Sequence, residues 1–106
     1  MSASIFATDG EAGRYEKLSA MTAATPFTPT NVEYKGKIAQ AVLITVETQS
    51  IRFTLDGTTA TVTVGHKMDA GQSYVVRGEK SIRNFMAINA VASNGAELYC
   101  TLFFAK

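Results

Sequence analysis

The sequence predicts an all-β domain: an antiparallel β-sandwich or small barrel of about six to eight strands, carrying an extended N-terminal arm. Three observations predict it. From Ile38 onward, β-branched and aromatic residues alternate with polar ones at the two-residue period of half-buried strands. Turn chemistry punctuates that pattern at Asp56-Gly57, Gly65 to Gly71 and Asn94-Gly95. The chain has 106 residues, 46% hydrophobic and 18% charged, which suits one folded core and not a disordered segment.

Residues 1–37 form the expected arm. This stretch is rich in Ala, Thr, Ser and Gly and holds both prolines, Pro26 and Pro29, which fix φ and bias Thr25 and Thr28 toward extended geometry. A short helix over Glu11 to Met21 is the other reading of its first half, resting on the thin apolar stripe of Tyr15, Leu18 and Met21.

Residues 38–106 form the expected sandwich domain. Val42, Ile44 and Val46 line one face of a first strand; Ile51, Phe53 and Leu55 alternate with Arg52, Thr54 and Asp56 in a second. After Asp56-Gly57, the alternation of Ala60, Val62 and Val64 with Thr59, Thr61 and Thr63 predicts a third strand, closing a hairpin with the second. Gly65 to Gln72 reads as a loop, Tyr74 to Val76 as a strand and RGEKS as a turn. The apolar run from Ile82 to Ala92 then meets Asn94-Gly95, and Leu98 to Phe104 completes a final hairpin.

A two-residue loop at Asn94-Gly95 pairs Val91 with Leu98, Asn89 with Cys100, Ala87 with Leu102 and Phe85 with Phe104. The opposite face then carries Met86, Ile88, Ala90, Tyr99, Thr101 and Phe103 and is also mostly apolar. One sheet face of a small two-layer domain normally meets water, so this second face needs a cover. Met86, Ile88, Tyr99 and Phe103 are therefore the expected interface. Phe27 and Tyr34 of the arm join it, either against a neighbour or folded back on their own domain.

Motifs for catalysis are absent from the sequence. It holds no phosphate-binding, dinucleotide-binding, zinc or nucleophile-elbow signature, so neither an enzyme nor a cofactor or metal is expected. His66 sits between glycines with Lys67 and Asp69 and reads as a solvated turn residue; Asp56 and Asp69 each precede or flank glycine as turn formers. The single Cys100 lies in an alternating apolar run and reads as a core side chain. Ten basic and nine acidic residues give a net charge of +1 without a basic run, which argues against nucleic acid and against a membrane surface. Apolar runs such as Ala41 to Ile44 fall far short of the roughly 20 residues a bilayer-crossing helix needs. The start, MSASIFATDGEAG, lacks a secretory pattern, so assembly in the cytoplasm is expected.

The segment from Ala41 to Gly71 resembles small structural proteins encoded among the head, neck and tail genes of tailed bacteriophages. The features that carry the resemblance are the strand ending in Val46-Glu47, Ile51-Arg52-Phe53, the turn Asp56-Gly57-Thr58, and Gly65-His66 followed by Asp69-Ala70-Gly71. It extends to Ile82, Phe85, Ile88 and the closing strand, and departs from the family pattern at Ala60, where a turn proline is common. The resemblance implies a non-catalytic virion component assembled in the host cytoplasm. A capsid decoration protein that oligomerises, as a trimer for instance, and binds the major capsid protein is the leading form; a neck, tail or baseplate part is the next. A carbohydrate-binding β-sandwich using Tyr15, Tyr34, Tyr74 or Tyr99 is the alternative from another class.

Overall fold

The computed structural model describes residues 10–91 and 95–105. Among them the elements run β1 (Glu11–Leu18), α1 (Pro29–Val32), β2 (Glu33–Tyr34), β3 (Lys37–Ile38), β4 (Ala41–Glu47), β5 (Ile51–Thr54), β6 (His66–Met68), β7 (Ser73–Arg77), α2 (Glu79–Asn84), β8 (Met86–Asn89) and β9 (Glu97–Phe104). All strand pairs are antiparallel. A four-stranded sheet in the order β1-β9-β4-β7 packs against a three-stranded sheet in the order β6-β5-β8, and β2 with β3 makes a separate hairpin. The all-β sandwich expected from the alternation is the architecture found.

Alternation decides which residues enter the core. On β9, Leu98, Cys100, Leu102 and Phe104 are buried while Glu97, Tyr99, Thr101 and Phe103 are half-buried. Register then aligns Val42 with Leu102 and Val76, Ile44 with Cys100, and Val46 with Leu98, making one continuous inner face. The three-stranded sheet answers with Ile51, Phe53 and Met68, beside Asn89 and Ala87 of β8. Between the layers Phe27 stacks on Phe85, with ring centroids 4.2 Å apart and planes 5° apart, and Met21 and Ile82 fill the remaining space. Each such side chain contributes about 1.5–3 kcal/mol by leaving water.

The segment expected to be an arm is built into this sandwich over its described residues. β1 is an edge strand of the four-stranded sheet, paired with β9 from Leu18↔Leu98 to Glu11↔Phe104. It is extended, so the helix considered over Glu11 to Met21 does not form: Leu18 reaches the core from the end of the strand and Met21 from the segment that follows it. Pro29 opens a single helical turn, where its missing N–H costs nothing. A boundary between residues 37 and 38 would split β3 and part Ile38 from its β2 partner Glu33.

Two expected hairpins do not form among the described residues. Residues 59–64, despite their alternation, make only one isolated bridge, Thr61↔Val64, and leave Val62 and Val64 each 40% exposed. The Arg52 side chain holds this loop by donating from Nε to the Val62 carbonyl (2.9 Å) and from Nη1 to the Gly65 carbonyl (3.1 Å). The partner of β5 is instead β6, inside the segment expected to be a loop. Gly65 makes that approach possible: its φ is 128°, and a Cβ there would lie 2.9 Å from the Phe53 carbonyl oxygen.

The run from Ile82 to Ala92 breaks at Phe85 into the end of α2 and the strand β8. β8 pairs with β5, whereas β9 is flanked by β1 and β4, so β8 and β9 lie in different sheets and the expected Val91 to Leu98 register does not occur. Asn94 of that expected turn lies outside the described residues. No helix among the described residues is long and apolar enough to cross a membrane.

Candidate interaction surface

The inner face of the four-stranded sheet is covered by the second sheet; its outer face is composed of the alternate residues of the same strands. Register lays them out in rows. Tyr15, Thr101, Leu43 and Val75 cross the sheet in one row, with Lys17, Tyr99, Thr45 and Ser73 on one side of it and Ala12, Phe103, Ala41 and Arg77 on the other. Leu43, Val75, Tyr99, Thr101 and Phe103 are all half-buried, and Tyr15 is 59% exposed. Tyr15 and Tyr99 lie 6.5 Å apart and tilted by 44°. This is an aromatic and aliphatic patch, interleaved with threonines, on the outer side of the sheet, and apolar surface of this kind is a common feature of interaction sites.

Its rim is polar. At the end of the Tyr99 row, Lys17 donates to Glu97 at 3.3 Å and the Thr48 hydroxyl donates to the other oxygen of the same carboxylate at 3.0 Å. These two donors, the hydroxyl foremost, hold the Glu97 carboxyl below its ordinary range, and Glu97 holds the Lys17 ammonium above its own. Lys17 also stands 5.8 Å over the Tyr99 ring.

Of the expected interface residues, only Tyr99 and Phe103 belong to this patch. Phe27 is 3% exposed, spent on the Phe85 stack, so it offers nothing to a neighbour. Tyr34 packs within the chain, its ring 6.1 Å from Phe104 and capped by the Arg14 guanidinium at 4.5 Å. Met86 and Ile88 lie on β8 in the other sheet, on its outer side beside Thr54 and Arg52. The surface expected on one hairpin is thus divided between two sheets, because β8 and β9 are not partners. Tyr15, Leu43 and Val75 complete the patch and were missed. Leu43 and Val75 had a legible signal: Ala41 to Ile44 and Val75-Val76 are unbroken apolar runs, which a strand with one wet face does not need.

A second feature lies at the open side of the sandwich, between β6 and β7. Phe53, His66 and Tyr74 wall a cleft of about 380 Å³ that Lys67, Gln72 and Ser73 edge with polar groups. Phe53 is the shared aromatic floor, 5.5 Å from His66 and 5.6 Å from Tyr74. His66 is exposed, as expected, but it stands on a strand beside the Phe53 ring and not in a turn. Nearby Asp56 accepts from the Thr58 N–H at 3.0 Å, the main cause of its carboxyl being held low.

The remaining candidates are structural. Cys100 is fully buried between Ile44 and Glu16 in register, and burial pushes its thiol far above the ordinary range, so it stays protonated. Among the described residues, no three His, Cys, Asp or Glu side chains gather where they could hold a metal ion. No protein-family model matches the chain, and neither does a curated protein or a solved structure.

Proposed function

We propose that the protein is a non-catalytic structural component of a tailed-phage particle, a capsid decoration protein whose copies assemble and dock through the outer face of the four-stranded sheet. The observation that carries this reading is the patch of Tyr15, Leu43, Val75, Tyr99 and Phe103, a second apolar face on a sheet whose other face already belongs to the core. At about 25 cal/mol per Å2, burying two tyrosines, a phenylalanine, a leucine and a valine supplies several kcal/mol toward association before ordering costs. The resemblance of Ala41 to Gly71, which spans β4, β5 and β6, supplies the particle context and suggests a trimer bound to the major capsid protein. The test is to assay purified particles for this chain by mass spectrometry and to repeat it with Tyr99→Asp. The chain is expected in wild-type heads and depleted at least tenfold for the variant. Particles that lack the wild-type chain overturn the reading, and particles that retain the variant in full overturn the face assignment.

The cleft supports a second reading, a carbohydrate-binding module in which a sugar stacks on Tyr74 and bonds to Gln72, Ser73 or His66. Glycan-array binding that is lost in Tyr74→Ala and kept in Tyr99→Asp would establish it in place of the first.

A further inference from the structure

The two edges of the four-stranded sheet differ in how they are protected. An exposed edge strand is a template for another chain, and proteins blunt it with charges, prolines or bulges. β1 has such devices: its register against β9 shifts between Ala12 and Arg14, and Glu11, Arg14, Glu16 and Lys17 crowd its eight residues. β7, reading Ser73-Tyr74-Val75-Val76-Arg77, has no bulge in its register with β4, no proline, no lysine and a charge only at its end.

The hydrogen-bond parity of β7 is fixed by its ends. Val46 donates its N–H to the Gln72 carbonyl (3.0 Å) and Gly78 donates to the Gln40 carbonyl (3.2 Å). Bonded pairs alternate along an antiparallel ladder, so Ile44/Tyr74 and Val42/Val76 are the bonded pairs between them. The N–H and C=O of Ser73 and Val75 therefore point away from β4, toward the open side, where no described strand pairs with β7.

The geometry points to a second copy of this chain as the occupant of that edge, joined antiparallel about a two-fold axis at Val75. The sequence is self-complementary in this register. Val75 faces Val75 of the second copy as a bonded pair, Tyr74 faces Val76, and Ser73 faces Arg77, so an aromatic meets a β-branched residue and no like charges oppose. Leu43 and Val75 of both copies then form one unbroken apolar row across an eight-stranded sheet. Tyr74, 44% exposed in the single chain, gains a neighbour. Five residues of edge bury less than the ~1,000 Å2 expected of a stable interface, so the dimer is weak and concentration-dependent. This goes beyond the assembly and docking proposed for the outer face: the two-fold edge contact is separate from any trimer built through that face and does not need a particle.

Sedimentation of the purified full-length chain tests it. A monomer–dimer equilibrium is expected, and Val75→Pro, which removes an outward N–H that β4 does not use, should weaken it at least tenfold without lowering the melting temperature appreciably. Tyr99→Asp should leave it intact, which separates failure here from failure of the outer-face reading. As a second measurement, Val75→Cys should cross-link on mild oxidation, since bonded antiparallel partners stand about 5.5 Å apart between Cα atoms, within disulfide range. Glu16→Cys, on the protected edge and off the outer patch, should not. Both variants carry Cys100→Ser, so that the buried native thiol, the register partner of Glu16, does not compete. A monomer up to millimolar concentration, equal cross-linking of both variants, or pairing with an unrelated extended peptide in preference to a second copy would each overturn the proposal.

Discussion

The two faces of the four-stranded sheet are built from adjacent residues of the same strands, and they meet different surroundings. Inward, Val42, Ile44, Val46, Leu98 and Leu102 are sealed under β5, β6 and β8. Outward, Leu43, Val75, Tyr99 and Phe103 keep part of their surface in water. The outer face interleaves its apolar residues with Lys17, Thr45, Ser73, Thr101 and Arg77, whereas the inner face of β4 and β9 is apolar throughout and lies under the second sheet. The inner face should hold the fold together, and the outer face should govern association.

That contrast can be broken most sharply from the inside. Phe85→Ala removes the ring that stacks on Phe27 and lies 5.9 Å from Phe53, and should cost about 3–5 kcal/mol in chemical denaturation, with the midpoint shifting and the slope unchanged. Leu102→Ala, on the inner side of β9, should cost about 2–5 kcal/mol, while Thr101→Ala next to it should stay within about 0.5 kcal/mol. Equal losses for that pair would mean that the outer face is also sealed. Leu43→Ser is expected to lower stability by only about 1 kcal/mol yet to reduce particle binding by a larger factor than Leu102→Ala does in molecules that remain folded.

The rim should give the smallest effect, and its sign follows from the shifts at Glu97 and Lys17. Glu97 is held low by Thr48 and Lys17, so its contribution is present above the ordinary carboxylate range and is lost as the pH falls through the folded value. Lys17 is held high, so its contribution is present below the ordinary lysine range and is lost as the pH rises past the folded value. Both groups stand in solvent, where ion pairs are worth little. Melting temperatures of wild type and Glu97→Gln, compared between acid and neutral pH, should converge at the acid end.

Several elements were legible because they depend on local periodicity alone. The buried positions of β4, β5 and β9 follow from alternation, and Cys100 was placed in the core by its neighbours in sequence. The interface was legible only in part. Tyr99 and Phe103 were found because they alternate with buried residues of β9; Met86 and Ile88 were grouped with them through a hairpin that does not form. Asn94-Gly95 favours a tight turn between paired strands, but the bonding edges of β9 are taken by β1 and β4. The same competition turned residues 59–64 into a loop, since β5 pairs with β6 and β8.

The sequence by itself determined the class of fold and which side of each strand is apolar, because both depend on the two-residue period of an extended chain. Only the tertiary structure decided which strands are neighbours, that Phe27 and Val32 beside the two prolines lie in the core, and which apolar side chains keep part of their surface exposed. Those outcomes depend on contacts between residues far apart in the chain, such as Leu18 with Leu98 or Phe27 with Phe85, and a local pattern holds no record of the distance between the segments that satisfy it.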